Sequence, residues 1–214
     1  QHFPGKNVKV VGTPLRGVMR KSYDRNQAIE HFNLSSEKKT LLILGGSQGA
    51  YGINSVITDS LTDLKDLGVQ IIHLTGPADY DRVSSLYEGV EIDSHIAPFC
   101  DCMQLAYASC DIAIARSGAS SLAELSAFGI PSILVPYPYA TDDHQTLNAV
   151  VYSDAGASLM RQESEMSSSA LISSLSQLLD SNNEVYKQMS SAMGKMAVID
   201  SAENICEQIL VNSK

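Results

Sequence analysis

Ala115-Arg116-Ser117-Gly118-Ala119-Ser120-Ser121-Leu122-Ala123-Glu124 follows the apolar run Asp111-Ile112-Ala113-Ile114 and leads into Leu125-Ser126-Ala127-Phe128-Gly129. The order reads strand, small-residue turn, helix, with Gly129 as the stop signal. Small residues at a helix start leave backbone N–H groups uncovered, and such a start suits phosphate. Glu124 lies six residues beyond Gly118, roughly 9 Å along the axis at a rise of 1.5 Å per residue. Side chains lean toward the helix N-terminus, which shortens that gap. A carboxylate there is placed to accept two hydroxyl bonds from a sugar diol while the helix start faces the phosphates. The plainer alternative is an exposed helix glutamate, and the neighbours Ala123 and Leu125 do not decide between the two. Arg116 either faces the phosphates or braces the loop through a carboxylate.

The same order recurs outward from this stretch. Thr40–Leu44 reads as a strand, Gly45-Gly46-Ser47-Gln48-Gly49-Ala50 as a turn, and 53–64 as a helix. Further strands are predicted at Val8–Val11, Val69–Leu74, Val90–Ile92, Ser132–Val135 and Ser158–Met160. Helices are predicted at 26–32, 79–86, 103–108 and 143–153, then at 168–179, 184–193 and 202–211. Ser167-Ser168-Ser169 and Asp180-Ser181-Asn182-Asn183 supply capping residues. Strands that are apolar on consecutive positions and alternate with helices indicate an α/β fold, a parallel sheet with helices on both faces. In such a sheet ligands collect at the carboxyl ends of the strands. Three polar loops occupy those places, at 45–49, 116–120 and 136–145.

Each loop carries its own candidates. The Gly45–Gly49 turn, with Gly46, Gln48 and Gly49, allows close approach to an anion, and Ser47 offers a hydroxyl. It also reads simply as a tight strand-to-helix turn. It matches neither the dinucleotide fingerprint nor a P-loop, so neither of those ligand types is supported. Arg16, after Gly12-Thr13-Pro14-Leu15, either pairs with a ligand anion or is a surface arginine. Asp142-Asp143-His144-Gln145 and Asn148 lie near a helix start, where His144 and Gln145 are placed to bond sugar hydroxyls. Asp142 or Asp143 is expected to cap that helix rather than hold Mg²⁺, which would want carboxylates together with substrate phosphate. His2, His31, His73 and His95 form no ligand pattern. No Gly-x-Ser-x-Gly elbow surrounds Ser47 or Ser117, so neither reads as an acylation nucleophile.

Composition sets the outer bounds. The 214 residues, 44% hydrophobic, suffice for one large α/β domain or two small ones. A net charge of −9 without a Lys/Arg cluster argues against nucleic acid as a partner. No apolar stretch approaches the about 20 residues needed to span a bilayer, and Gln1–Lys6 does not read as a signal peptide. A start at Gln1 rather than Met is expected of a piece of a longer protein. The spacing of Cys100, Cys102, Cys110 and Cys206 fits no zinc knuckle and no Cys-x-x-Cys redox pair. Reduced, mostly buried thiols of a cytoplasmic protein are expected.

Five pieces in order carry a family resemblance: Val11-Gly12-Thr13-Pro14-Leu15-Arg16, Gly45–Ala50, Ala115–Ala119, Glu124 with its helix, and His144-Gln145-x-x-Asn148-Ala149. The chain resembles the C-terminal, donor-binding half of glycosyltransferase family 28, the UDP-N-acetylglucosamine transferases of peptidoglycan synthesis. The resemblance implies a Rossmann-like domain, one half of the two-domain GT-B arrangement. It implies that residues 40–214 bind UDP-GlcNAc and that residues 1–39 form the interdomain strand and connection leading in. Carried over, Glu124 would bind the uridine ribose hydroxyls, and Arg16 would sit near the nucleotide. Ser47, the Gly45–Gly49 loop and the backbone of Ser117, Gly118 and Ala119 would lie beside the pyrophosphate. Backbone at Phe99 and Cys100 would pair with the uracil edge, and Gln145 with His144 would contact the N-acetylglucosamine hydroxyls. In many relatives the position of His144 is Gln or His; Cys100 replaces a more usual aliphatic residue, which a backbone contact tolerates.

The implied reaction is inverting transfer from UDP-GlcNAc to lipid I, giving lipid II. Helix-end N–H groups and Arg116 would stabilise the departing pyrophosphate. The resemblance invokes no metal and no cofactor beyond the donor substrate. It assigns the general base and the lipid I acceptor site to an N-terminal domain that this sequence does not contain. It also places the full-length protein peripherally on the cytoplasmic face of the inner membrane. Other readings compatible with this half are a transferase with a different lipid-linked acceptor, a UDP-sugar 2-epimerase, and a non-catalytic nucleotide-binding subunit.

Overall fold

The computed structural model describes residues 8–46, 48–179 and 184–212. The expected caps at Asp180–Asn183 and the hydroxyl of Ser47 lie outside the described residues. Six parallel strands form one sheet: β1 (Thr40–Leu44), β2 (Gln70–Leu74), β3 (Ser94–Ala97), β4 (Ile112–Ala115), β5 (Ser132–Leu134) and β6 (Ser158–Met160). Their spatial order is β3-β2-β1-β4-β5-β6. Chain progress therefore reverses between β1 and β4, which pair in register from Leu41↔Ile112 to Leu44↔Ala115.

Side-chain alternation along the strands divides the core. Leu42, Leu44, Ile72, Leu74, Ala113 and Ala115 face one layer, with Met19, Phe32, Tyr107, Leu122 and Leu125. Leu41, Ile43, Ile71, Ile112 and Ile114 face the other, with Ile53, Ile57, Leu64, Leu171 and Leu175. Accordingly α1 (Arg25–His31), α5 (Met103–Ser109) and α6 (Ala119–Phe128) cover the first face. On the second lie α2 (Tyr51–Asp59), α3 (Leu61–Asp66), α4 (Tyr80–Tyr87) and α8 (Ser168–Leu179). Three further helices, α7 (His144–Asp154), α9 (Glu184–Lys195) and α10 (Ser201–Asn212), complete the described set.

The structure corrects three expectations. Residues 8–11 form no strand; Val8 and Val10 are exposed and no neighbour offers them a ladder. The helix expected over 53–64 breaks at Ser60, whose φ of −106° and ψ of 5° leave the helical region. Val90–Ile92 is a turn, closed by Ile92 N–H donating to the Val90 carbonyl at 2.9 Å. The edge strand is instead Ser94–Ala97, half-buried throughout. Its lack of an apolar run follows from that edge position.

The segment before β1 is docked rather than trailing. Arg20 pairs with Asp200 (3.2 Å) and Glu203 (2.6 Å), and the Ser201 hydroxyl donates to the Thr13 carbonyl (2.8 Å). At the other end of the sheet, buried Asp111 accepts from Arg25, Lys39 and the Thr40 amide at 2.6–3.0 Å.

Candidate functional site

The crevice where the strand order reverses is the expected ligand position in a sheet of this type. Two strand-to-helix turns open there. The β1 turn leads to α2, and the β4 turn to α6. Neither helix is capped by its own N-cap side chain; those residues are Ala50 and Gly118. Two helix starts without N-cap side-chain bonds, each with a partial positive charge, meet at one edge.

Glycine shapes the β1 turn in two ways. Gly46 adopts φ +85° and its Gly49 neighbour φ +78°, and Gly49 N–H donates to the Gly46 carbonyl at 2.9 Å. A Cβ on Gly46 would meet open space, whereas one on Gly49 would collide with the Thr75 carbonyl oxygen. The turn thus lies directly on the loop leaving β2. Thr75 is in turn held by Asn54 of α2, whose Nδ2 donates to the Thr75 carbonyl (2.9 Å) and to Asp79 (2.8 Å). Asn54 Oδ1 must then accept, so His73 Nε2 carries the proton and Nδ1 accepts from the Tyr87 hydroxyl, each at 3.0 Å. Burial pushes the His73 imidazole down to about 3, which keeps it neutral.

Two clefts flank Gly46. The first, about 150 Å³, is a largely apolar slot lined by Leu74, Phe99, Cys100, Met103 and Tyr107, with Glu124 in its wall. The second, about 630 Å³, is a groove lined by Gly45–Gly46, Gln48–Gly52, Arg116, Tyr137, Tyr139, Gln145 and Glu163. Glu124 is not an exposed helix glutamate: its side chain is 16% exposed. Tyr107 donates to its Oε2 at 2.9 Å, and Arg16 approaches its Oε1 at 3.3 Å. Burial, and then the Glu124 charge, hold the Tyr107 phenol well above its ordinary range, so it remains a donor. A carboxylate offers about four lone-pair positions, so two stay available for a diol.

The other candidates divide by position. Arg116 is buried; Nη1 donates to the Val135 and Pro136 carbonyls (3.2 and 2.9 Å), while Nη2 pairs with Glu163. Its guanidinium therefore braces the groove wall. The Ser117 hydroxyl is also internal, donating to the Gln145 carbonyl at 2.8 Å, and Asn148 Nδ2 donates back to the Ser117 carbonyl at 3.0 Å. Gln145 Oε1 accepts from the Tyr137 amide at 3.1 Å. Gly118 is half-buried and Ala119 exposed at the start of α6. Phe99 is exposed and Cys100 buried at the slot. His144 lines neither cleft; its exposed ring bonds the Thr141 carbonyl at 2.7 Å. The expected acidic cap is corrected: Asp143 stands at the N-cap of α7 in a left-handed conformation (φ 52°), and its carboxylate makes no cap bond.

Tyr107, Tyr137, Tyr139 and Glu163 were not singled out from the sequence. Tyr137 and Tyr139 fall in the third loop at the strand ends, which marks their region. Nothing local to Tyr107 or Glu163 signals their role, because their partners lie 17 and 47 residues away. The cysteines are free: Cys100 and Cys110 are buried, Cys102 half-buried and Cys206 exposed. Burial pushes the Cys100 thiol up to about 11, so it lines the slot as a neutral group. Among the described residues no group of three or more His, Cys, Asp or Glu side chains could hold a metal ion, and no helix is long and apolar enough to cross a membrane.

Comparison with known proteins places this geometry in a family. The model of the glycosyltransferase family 28 C-terminal domain matches residues 40–205. The chain belongs to glycosyltransferase family 28. The chain is 36% identical over 217 residues to a UDP-N-acetylglucosamine--N-acetylmuramyl-(pentapeptide) pyrophosphoryl-undecaprenol N-acetylglucosamine transferase of Myxococcus xanthus, covering 99% of this chain and 55% of the relative. It is 38% identical over 209 residues to the protein of the same name from Leuconostoc mesenteroides, covering 97% and 57%. It superposes on the crystal structure of Acinetobacter baumannii MurG with a TM-score of 0.76 at 27% identity, covering 90% of this chain and 54% of that one. The chain thus spans about half the length of the curated relatives it matches.

Proposed function

We propose that this family 28 domain binds UDP-N-acetylglucosamine as the donor half of an inverting transferase. The observation that carries the reading is Glu124: a half-sheltered carboxylate in the wall of a base-sized apolar slot, beside the two helix starts at the sheet's reversal point. The uracil enters the slot against the backbone of Phe99 and Cys100. Ribose hydroxyls donate to Glu124, and Arg16 closes over the carboxylate from the other side. The diphosphate crosses Gly46 toward the amide ends of α2 and α6, with Gln48, Gly49 and Arg116 in the adjoining wall. The hexosamine reaches Gln145, with His144 at the outer edge. The names of the curated relatives support this choice of donor.

In the transfer, an acceptor hydroxyl attacks the anomeric carbon and the UDP–sugar bond breaks. Negative charge gathers on the leaving diphosphate. Helix-start amides already aimed at that charge stabilise it without reorganising. The base that takes the hydroxyl proton, and the surface for a lipid-linked muramyl pentapeptide acceptor, belong to the other half of the protein. In this reading residues 1–39 lead in from that half, and the whole protein works at the cytoplasmic face of the inner membrane.

Titration calorimetry tests the donor site. The chain is expected to bind UDP and UDP-GlcNAc. Glu124→Ala is expected to weaken both by about 100-fold or more, since it removes two hydrogen bonds to a charged group at about 1.5–3 kcal/mol each. Unchanged affinity in the variant removes Glu124 from the site.

A further inference from the structure

We infer that Glu163 is a resident counter-ion of the groove, holding the place at Arg116 and at the start of α2 that a donor's diphosphate must take. The inference rests on the donor-site reading above. Glu163 opens a 3-10 turn, Glu163–Glu165, that follows β6. Its carboxylate pairs with Arg116 Nη2, while Arg116 Nη1 is committed to the Val135 and Pro136 carbonyls. The same carboxylate lies on Gly52 in the first turn of α2: a Cβ there would sit 2.6 and 2.8 Å from its two oxygens. The N-cap of α2, Ala50, has no side chain to bond its first amides. Gly52, Arg116 and Glu163 line one groove together with Gln48 and Gly49.

A carboxylate at a helix start beside a guanidinium occupies ground that also favours phosphate. Two anions cannot share it without repulsion, so diphosphate entry and Glu163 seating oppose each other. Glu163 is able to leave. Its side chain is 29% exposed, and its turn is held independently by the capping box of Gln162 and Glu165. Rotation into solvent frees Arg116 Nη2 for a phosphate oxygen and keeps the backbone in place. The charge of Glu163 therefore weakens donor binding, and in doing so eases release of the UDP product.

The test compares uridine and UDP in calorimetry on the wild-type chain and on Glu163→Gln, with Glu163→Ala as a second variant. Removing the charge is expected to tighten UDP about 3- to 10-fold and to leave uridine unchanged, with the gain shrinking as salt is added. A purely structural role would move both ligands together. UDP affinity that is unchanged or weaker in both variants overturns the inference, as does equal tightening of uridine. Wild-type chain that binds neither uridine nor UDP overturns the donor-site reading itself, and the inference falls with it.

Discussion

Glu124 shows how far local sequence reaches at the scale of a single residue. Its place six positions into a helix that opens on small residues was readable, because a helix fixes that geometry within one element. Its two donors, Tyr107 and Arg16, come from other elements, 17 and 108 residues away, and no local pattern announces them. Arg116 makes the same point. Both of its weighed roles are chemically sound for arginine, and only the folded chain brings Glu163 against it.

His73 carries a prediction at this scale. Folded, its imidazole stays neutral down to about pH 3, whereas the unfolded chain takes up a proton near the ordinary value of 6.5. His95 is shifted the same way, first by burial and then by His31. Below the ordinary value the unfolded state binds more protons, so stability falls as pH falls from about 6.5. His73 contributes a slope approaching about 1.4 kcal/mol per pH unit. Urea denaturation between pH 7 and 5 is expected to show this loss, and His73→Gln to flatten the curve at a lower overall stability. An unchanged slope in the variant would mean that His73 is protonated in the folded protein.

At the scale of the element, strands β1, β2 and β4 were legible because they are buried on both faces and read as mainly apolar runs, with Thr40, Gln70 and His73 the polar members. The edge strand β3 was not, since a half-exposed strand such as Ser94-His95-Ile96-Ala97 needs no apolar run and Val90–Ile92 imitates one. The turn after β1 was legible as glycine-rich, but its two positive-φ glycines answer to different constraints. Gly46→Ala is expected to cost about 1–2 kcal/mol from left-handed backbone alone. Gly49→Ala adds the collision with the Thr75 carbonyl, about 1–3 kcal/mol more. Urea midpoints of the two variants, compared at equal slope, measure the difference; equal losses would show that the β2 loop yields freely.

At the scale of the molecule, the alternation of strands and helices disclosed the sheet, and the positions of three polar loops disclosed its working edge. The pairing of β1 with β4 completed the picture, because the reversal of strand order is a property of the whole chain. The span of about half the length of its relatives sets the reach of the activity. The chain on its own is expected to bind UDP-GlcNAc and to transfer nothing to a lipid-linked acceptor, as read by product chromatography. Turnover by the chain alone would place a proton-accepting base among its own residues. On the proposed reading, adding an acceptor-binding half is expected to restore transfer.

The reciprocal hydrogen bonds between the Ser117 and Gln145–Asn148 segments have a metric consequence. They hold the turn before α6 against the first turn of α7, so their separation is fixed by the scaffold and the two segments move as one jaw rather than as independent fingers. On the donor-site reading, pressure on Gln145 is transmitted straight to the opening of α6, so contacts with the sugar and with the diphosphate are mechanically joined.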